Sequence, residues 1–180
     1  KYKFAEIASS LAFYLKTFSN VDKFLDYICL IFKHFFNENI ILIIPLNNEG
    51  EIWNENIKIS ANDDCLIIQE EINNFFDQFN FSKNFKIKQI LTFENALKNN
   101  FKEYKIETEK LLSRGKCRGF IYIFSKDLSA ESITHDSNFN FIQNCLAVGL
   151  ENYCLIKTKK NHEQVDREIS TGAEIQSQLL

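Results

Sequence analysis

Arg114-Gly115-Lys116-Cys117-Arg118-Gly119-Phe120-Ile121-Tyr122-Ile123-Phe124 is the stretch that decides the fold of this chain. Arg114-Gly115-Lys116 has the composition of a turn. Gly119 to Phe124 is short, rich in β-formers and apolar on both alternating sides, so it reads as a strand covered on both faces. Tyr104 to Leu112 alternates upstream of the turn, and the two runs therefore pair as a hairpin. A second run of the same kind, Ile40-Ile41-Leu42-Ile43-Ile44, reads as a central strand. Asn47-Asn48-Glu49-Gly50 supplies a turn, and Glu51 to Ile59 alternates with Ile52, Ile57 and Ile59 on its apolar side. The spacing thus predicts a second hairpin.

Helices flank these strands. Phe4, Ile7, Ala8, Leu11, Leu15 and Phe18 step by three and four along residues 2–18. Ser19-Asn20 breaks that helix and caps a second, from about Val21 to Phe36, with Leu25, Ile28, Cys29, Phe32, Phe35 and Phe36 inward. Asn62-Asp63-Asp64 is expected to cap a third at about 65–79, with Leu66, Ile67, Ile72, Phe75, Phe76 and Phe79 on its apolar face. Phe85 to Ile90 suggests a short edge strand, and Thr92 to Asn99 a brief helix. After a polar loop from Ser125, Asp136-Ser137 caps a last helix that runs without a breaker to the end, far beyond the usual 8–20 residues. The class is α+β, with an antiparallel sheet flanked by helices and a long C-terminal connector helix.

Composition narrows the function. The chain has 180 residues, 45% hydrophobic and 25% charged, with a net charge of -3. That is one domain with an appendage, and no basic face for nucleic acid is indicated. Eighteen Phe against one Pro and five Gly read as a compositional bias, with Phe filling core positions. The five cysteines are scattered without a C-x-x-C, which fits reduced thiols in a cytoplasm. No run is long enough to span a bilayer. The chain starts at Lys1 and ends at Leu179-Leu180 within a helical pattern, so further residues are expected on both sides.

The ordered set of elements resembles GAF domains, relatives of the PAS fold. The resemblance rests on the paired helices, the strand and N-N-E-G turn, the hairpin ending G-F-I-Y-I-F-S, and a final helix. In that helix Ala147, Gly149, Leu150, Glu151, Asn152 and Leu155 match the family's closing run. The resemblance covers roughly residues 5–155, and the sensory domain is expected to span 1–155. Residues 156–180 are expected to be a coiled-coil linker and the start of a further domain, because Arg167 to Leu180 is similar to the segment that opens SpoIIE/RsbU-type phosphatase domains, metal-dependent protein serine phosphatases of the PPM type. Glu168, Ala173, Ile175-Gln176 and Leu179-Leu180 match it, with one extra residue between Ile169 and Ala173.

The resemblance implies a signal-sensing and dimerisation module that controls a C-terminal phosphatase in sigma-factor regulation. The substrate implied is a phosphorylated anti-sigma-factor antagonist, and Mn²⁺ or Mg²⁺ is implied in the phosphatase domain. No catalytic residue, metal ligand or cofactor is expected within these 180 residues. The resemblance also implies a ligand pocket for a small-molecule or protein signal, built from about 60–115 and 120–124. Trp53, Phe75, Phe79, Phe93 and Tyr122 are its candidate lining, the alternative being that they are core. The cyclic-nucleotide signature N-K-x-x-F-x-x-x-D-E is absent, as is a bilin-type cysteine context.

Val165, Ile169, Gly172, Gln176 and Leu179 form a heptad seam that suits a homodimer. With Ala173 and Ile175 they make up the expected coupling and dimer helix. Other readings are a ligand-blind dimerisation scaffold, or an input domain for a histidine kinase or cyclase. His34, His135 and His162 are too scattered for zinc, and His162-Glu163 lacks the continuation of a phosphoacceptor box. Cys117, between Lys116 and Arg118, is the one thiol with basic neighbours.

Overall fold

The computed structural model describes residues 2–17, 20–79 and 89–179. Its elements are α1 (Tyr2–Thr17), α2 (Val21–Phe35), β1 (Asn39–Pro45), β2 (Lys58–Ser60), α3 (Leu66–Phe79), α4 (Ile90–Asn100), β3 (Lys105–Ser113), β4 (Lys116–Ser125) and α5 (Ser137–Leu179). The four strands form one antiparallel sheet in the order β2-β1-β4-β3.

The two unbroken apolar runs sit at the centre of this sheet because both of its faces are covered. Ile41, Ile43, Ile121 and Ile123 point towards α1, α2 and α5, where they meet Leu11, Phe24, Phe32, Phe139 and Leu150. Ile40, Leu42, Ile44, Phe120, Tyr122 and Phe124 point the other way, against Ile72 and Phe75 of α3 and Phe93 and Leu97 of α4. The register runs from Asn39 opposite Ser125 to Pro45 opposite Gly119, which keeps the two apolar sets in step.

Local chemistry fixes the ends. Asn20 caps α2, its Oδ1 accepting from the backbone N–H of Asp22 at 3.0 Å and of Lys23 at 3.3 Å. Asp136 caps α5 in the same way through Asn138 at 2.8 Å and Phe139 at 3.3 Å. Arg114 and Gly115 close the β3–β4 hairpin with φ of 50° and 74°, a two-residue turn of the kind that matches sheet twist. Lys58 on β2 pairs with Asp22 and Asp26 on α2 at 2.5 and 2.9 Å.

Four expectations are corrected. Leu66 and Ile67 are exposed, and α3 buries Ile68, Ile72 and Phe75 instead, a stripe of steps four and three that leaves the first two residues to one side. The alternation from Glu51 to Ile59 is not one strand. A 3₁₀ turn at Asn54–Asn56 interrupts it, so β2 is only Lys58–Ser60, and Leu46–Ile52 is an isolated bridge. Asn62 does not cap α3 by its side chain, which donates to the carbonyl of Asn37 at 2.7 Å, and Asp63 pairs with Lys33 at 3.2 Å. Gln89 and Ile90 begin α4 rather than end a strand, and the rest of that predicted edge strand, 85–88, lies outside the described residues. Among the α1 positions, the side chains of Phe4 and Leu15, and Phe18 altogether, lie outside them too.

Candidate functional site

Four of the five aromatic residues expected around a pocket meet on the α3/α4 face of the sheet. Phe93 lies with its ring centroid 5.8 Å from Phe75, 5.4 Å from Phe79 and 5.5 Å from Tyr122. Phe76 stacks on Phe93 at 5.8 Å. The edge-to-face and tilted geometries are those that aromatic pairs prefer, and together the rings occupy the space between the sheet and the two helices. The one polar atom of the group, the Tyr122 hydroxyl, donates to Glu94 Oε1 at 3.2 Å. Burial pushes the Tyr122 hydroxyl well above its ordinary value, and the nearby Glu94 carboxylate adds to the shift. Open space on this face lies at its edge. A cavity of about 300 Å³ there is lined by Ile40, Phe124, Tyr104, Cys65, Glu71 and Glu103, among others.

Trp53 is not part of that group. It follows the β1–β2 turn and lies against α5, its ring 4.9 Å from Tyr153, with Lys157 Nζ 5.2 Å above it. It belongs to a larger cleft, about 620 Å³, between the 47–53 turn, the start of β4 and the root of α5. Asn48 ties the two walls. Its Nδ2 donates to Thr158 Oγ1 at 2.6 Å and to the Cys154 carbonyl at 3.1 Å.

The floor of this cleft comes from an irregularity in the sheet. Leu111 pairs with Gly119 but Leu112 pairs with Cys117, so Arg118 is an extra residue in β4. Regular alternation would put Arg118 on the side of Phe120 and Tyr122. The bulge turns it towards α5 instead, where Nη2 lies 3.9 Å from Glu151 Oε1. Glu151 is buried and also accepts from the Ser113 hydroxyl. Gly119 is what lets the bulge pass β1, because a Cβ there would stand 2.6 Å from the backbone oxygen of Ile44. Sequence reasoning missed this pair. One signal was available in Glu151, a carboxylate next to Leu150 on the apolar stripe of α5, which requires a buried cation.

The coupling-helix residues lie together on the distal part of α5. Val165, Ile169, Ile175 and Leu179 are 51%, 64%, 52% and 82% exposed, and Ala173 and Gln176 are exposed with them. Beyond Thr158 no residue of α5 is buried against the domain.

The thiols differ in environment. Burial pushes Cys29 up to about 12, with Asp26 adding and Lys58 opposing. Burial also raises Cys145 and Cys154. The folded value of Cys29 lies above the unfolded one of about 8.5, so its contribution to stability is complete below that pH and is lost as pH rises towards 12. Cys29 is therefore expected to escape iodoacetamide at pH 8 in the native protein and to react on unfolding, as read by peptide mass mapping. Native labelling at the unfolded rate would contradict the burial. Cys117 is partly buried at the start of β4, its Sγ 3.4 Å from the Gly119 carbonyl.

Among the described residues no group of three or more His, Cys, Asp or Glu is placed to hold a metal ion, and no helix is long and apolar enough to cross a membrane. No protein-family model, curated protein or solved structure matches the chain.

Proposed function

We propose that this chain is a GAF-type regulatory and dimerisation module whose last helix couples it to a metal-dependent protein serine phosphatase of the SpoIIE/RsbU kind. The observation that carries this reading is α5. Its first half is part of the core through Phe139, Ile142, Leu146, Leu150 and Cys154. Its second half leaves the domain as uninterrupted helix with Val165, Ile169 and Leu179 uncovered. An isolated helix of such mixed composition is marginal in water, so a second copy is the natural cover for its seam. Gly172 and Gln176 weaken that seam, which suits two packings of similar energy and hence a switch. The tail similarity at Glu168, Ala173, Ile175-Gln176 and Leu179 supports the phosphatase as output, with Mn²⁺ or Mg²⁺ there and a phosphorylated anti-sigma-factor antagonist as substrate.

The aromatic cluster favours one variant of this reading, a scaffold that dimerises without a ligand on the α3/α4 face. Phe75, Phe79, Phe93 and Tyr122 already occupy that space.

Two measurements test the proposal. Sedimentation equilibrium is expected to give a dimer at micromolar concentration, and Val165→Lys with Ile169→Lys a monomer with unchanged thermal midpoint of the domain core. A wild-type monomer at 100 μM would remove the dimer. The full-length protein is expected to hydrolyse phosphoserine only with Mn²⁺ or Mg²⁺, and loss of residues 1–155 to alter its regulation while sparing hydrolysis. A full-length protein inert with every metal would remove the phosphatase.

A further inference from the structure

We propose that the cleft at the root of α5 binds a small phosphate-bearing anion, with Arg118 as its central contact and Lys116 and Lys157 at its mouth. This site is independent of the identity of any output domain, and it lies on the opposite side of the sheet from the aromatic cluster.

The argument starts from Arg118. Its side chain is only 7% exposed, yet the cation is poorly satisfied. A guanidinium carries five N–H donors. Here Nη1 makes one long hydrogen bond, 3.4 Å to Asn48 Oδ1, and Nη2 makes one long ion pair, 3.9 Å to Glu151. Nε is buried and has no partner among the described residues. Buried charges are normally paired and hydrogen-bonded in full, because leaving donors unmade costs free energy. Glu151 divides its oxygens, Oε2 accepting from the Ser113 hydroxyl while Oε1 faces both Arg118 at 3.9 Å and Arg114 at 3.8 Å. The bulge therefore delivers a buried, under-satisfied cation to a cleft rather than to a closed core.

Cations outnumber carboxylates around it. Lys116 and Lys157 line the cleft with Arg118, and Glu49 is the one carboxylate among the described residues that does. Glu151 stands behind the guanidinium and outside the lining. Asn48, Thr158 and Asn161 add neutral polar groups. Three cations around about 620 Å³, one of them a forked guanidinium, suit an oxyanion head group on a small molecule.

Position gives the site a consequence. Asn48 bonds both Arg118 and α5, so an anion drawn in by Arg118 touches the β1–β2 turn and the helix root together.

Isothermal titration with inorganic phosphate and ribose 5-phosphate, beside acetate and citrate at matched ionic strength, tests the proposal. Saturable binding of the two phosphates is expected, at least tenfold tighter than acetate or citrate. Lys116→Ala and Lys157→Ala are expected to weaken it about tenfold each, and Arg118→Met to abolish it. Both lysines are exposed, so these variants keep the test sound if Arg118→Met does not fold. No saturable binding, or binding that neither lysine variant changes, would overturn the site. Citrate binding as tightly as phosphate would overturn the choice of head group.

Discussion

Phe93→Ala is expected to lower the free energy of unfolding by about 3–5 kcal/mol. Phe93 is fully buried, and its ring is the hub of a cluster that takes Phe75, Phe76 and Phe79 from α3 and Tyr122 from β4. Those neighbours cannot collapse into the vacancy. Tyr122 is held by a central strand and by its bond to Glu94, and Phe75 also packs on Phe101 at 6.0 Å. The loss thus includes a cavity as well as the transfer of the ring. For a chain of this size each kcal/mol lowers the thermal midpoint by about 2–4 °C, so the shift should reach about 6–20 °C. Urea unfolding should show a lower midpoint with an unchanged slope. A loss below about 1 kcal/mol would mean that the rings are loosely packed, and would return this face to consideration as a ligand pocket.

Glu151→Ala is expected to cost a similar amount, about 3–5 kcal/mol, for a different reason. It leaves Arg118 buried without a counter-charge, since Glu151 is its one ion-pair partner among the described residues. The double variant Arg118→Met with Glu151→Leu removes both charges and should fall within about 1 kcal/mol of the wild type. Urea denaturation of Arg118→Met, Glu151→Leu and the double variant closes the cycle. Near-additive single effects would show that the 3.9 Å pair is not coupled, and that Arg118 is held by other groups.

Legibility in the sequence followed the number of constraints on each residue. The strands at Ile40–Ile44 and Phe120–Phe124 were readable because apolar residues on both sides of a short β-rich run leave only a doubly covered strand. Asn20 and Asp136 were readable as caps because their side chains act on residues two and three further on. The inward face of α3 was misread because Leu66 and Ile67 offer apolar stripes that overlap the true one, and only the partner surface chooses between them. Trp53 was grouped with the Phe cluster because nothing local reveals that the chain turns it towards Tyr153, one hundred residues later in the sequence. The Arg118–Glu151 pair was hidden by the bulge, which reverses the alternation that strand reading relies on.

Asn48 has a mechanical consequence. By binding Thr158 and the Cys154 carbonyl, it clamps α5 at the point where the helix leaves the domain. The free arm from Thr158 to Leu179 is about 30 Å long, so a tilt of about 5° at the clamp would swing its tip by nearly 3 Å. On the proposed regulatory reading, a change in the two hydrogen bonds at this fulcrum would move the tip of the arm while the buried residues up to Cys154 stay in place.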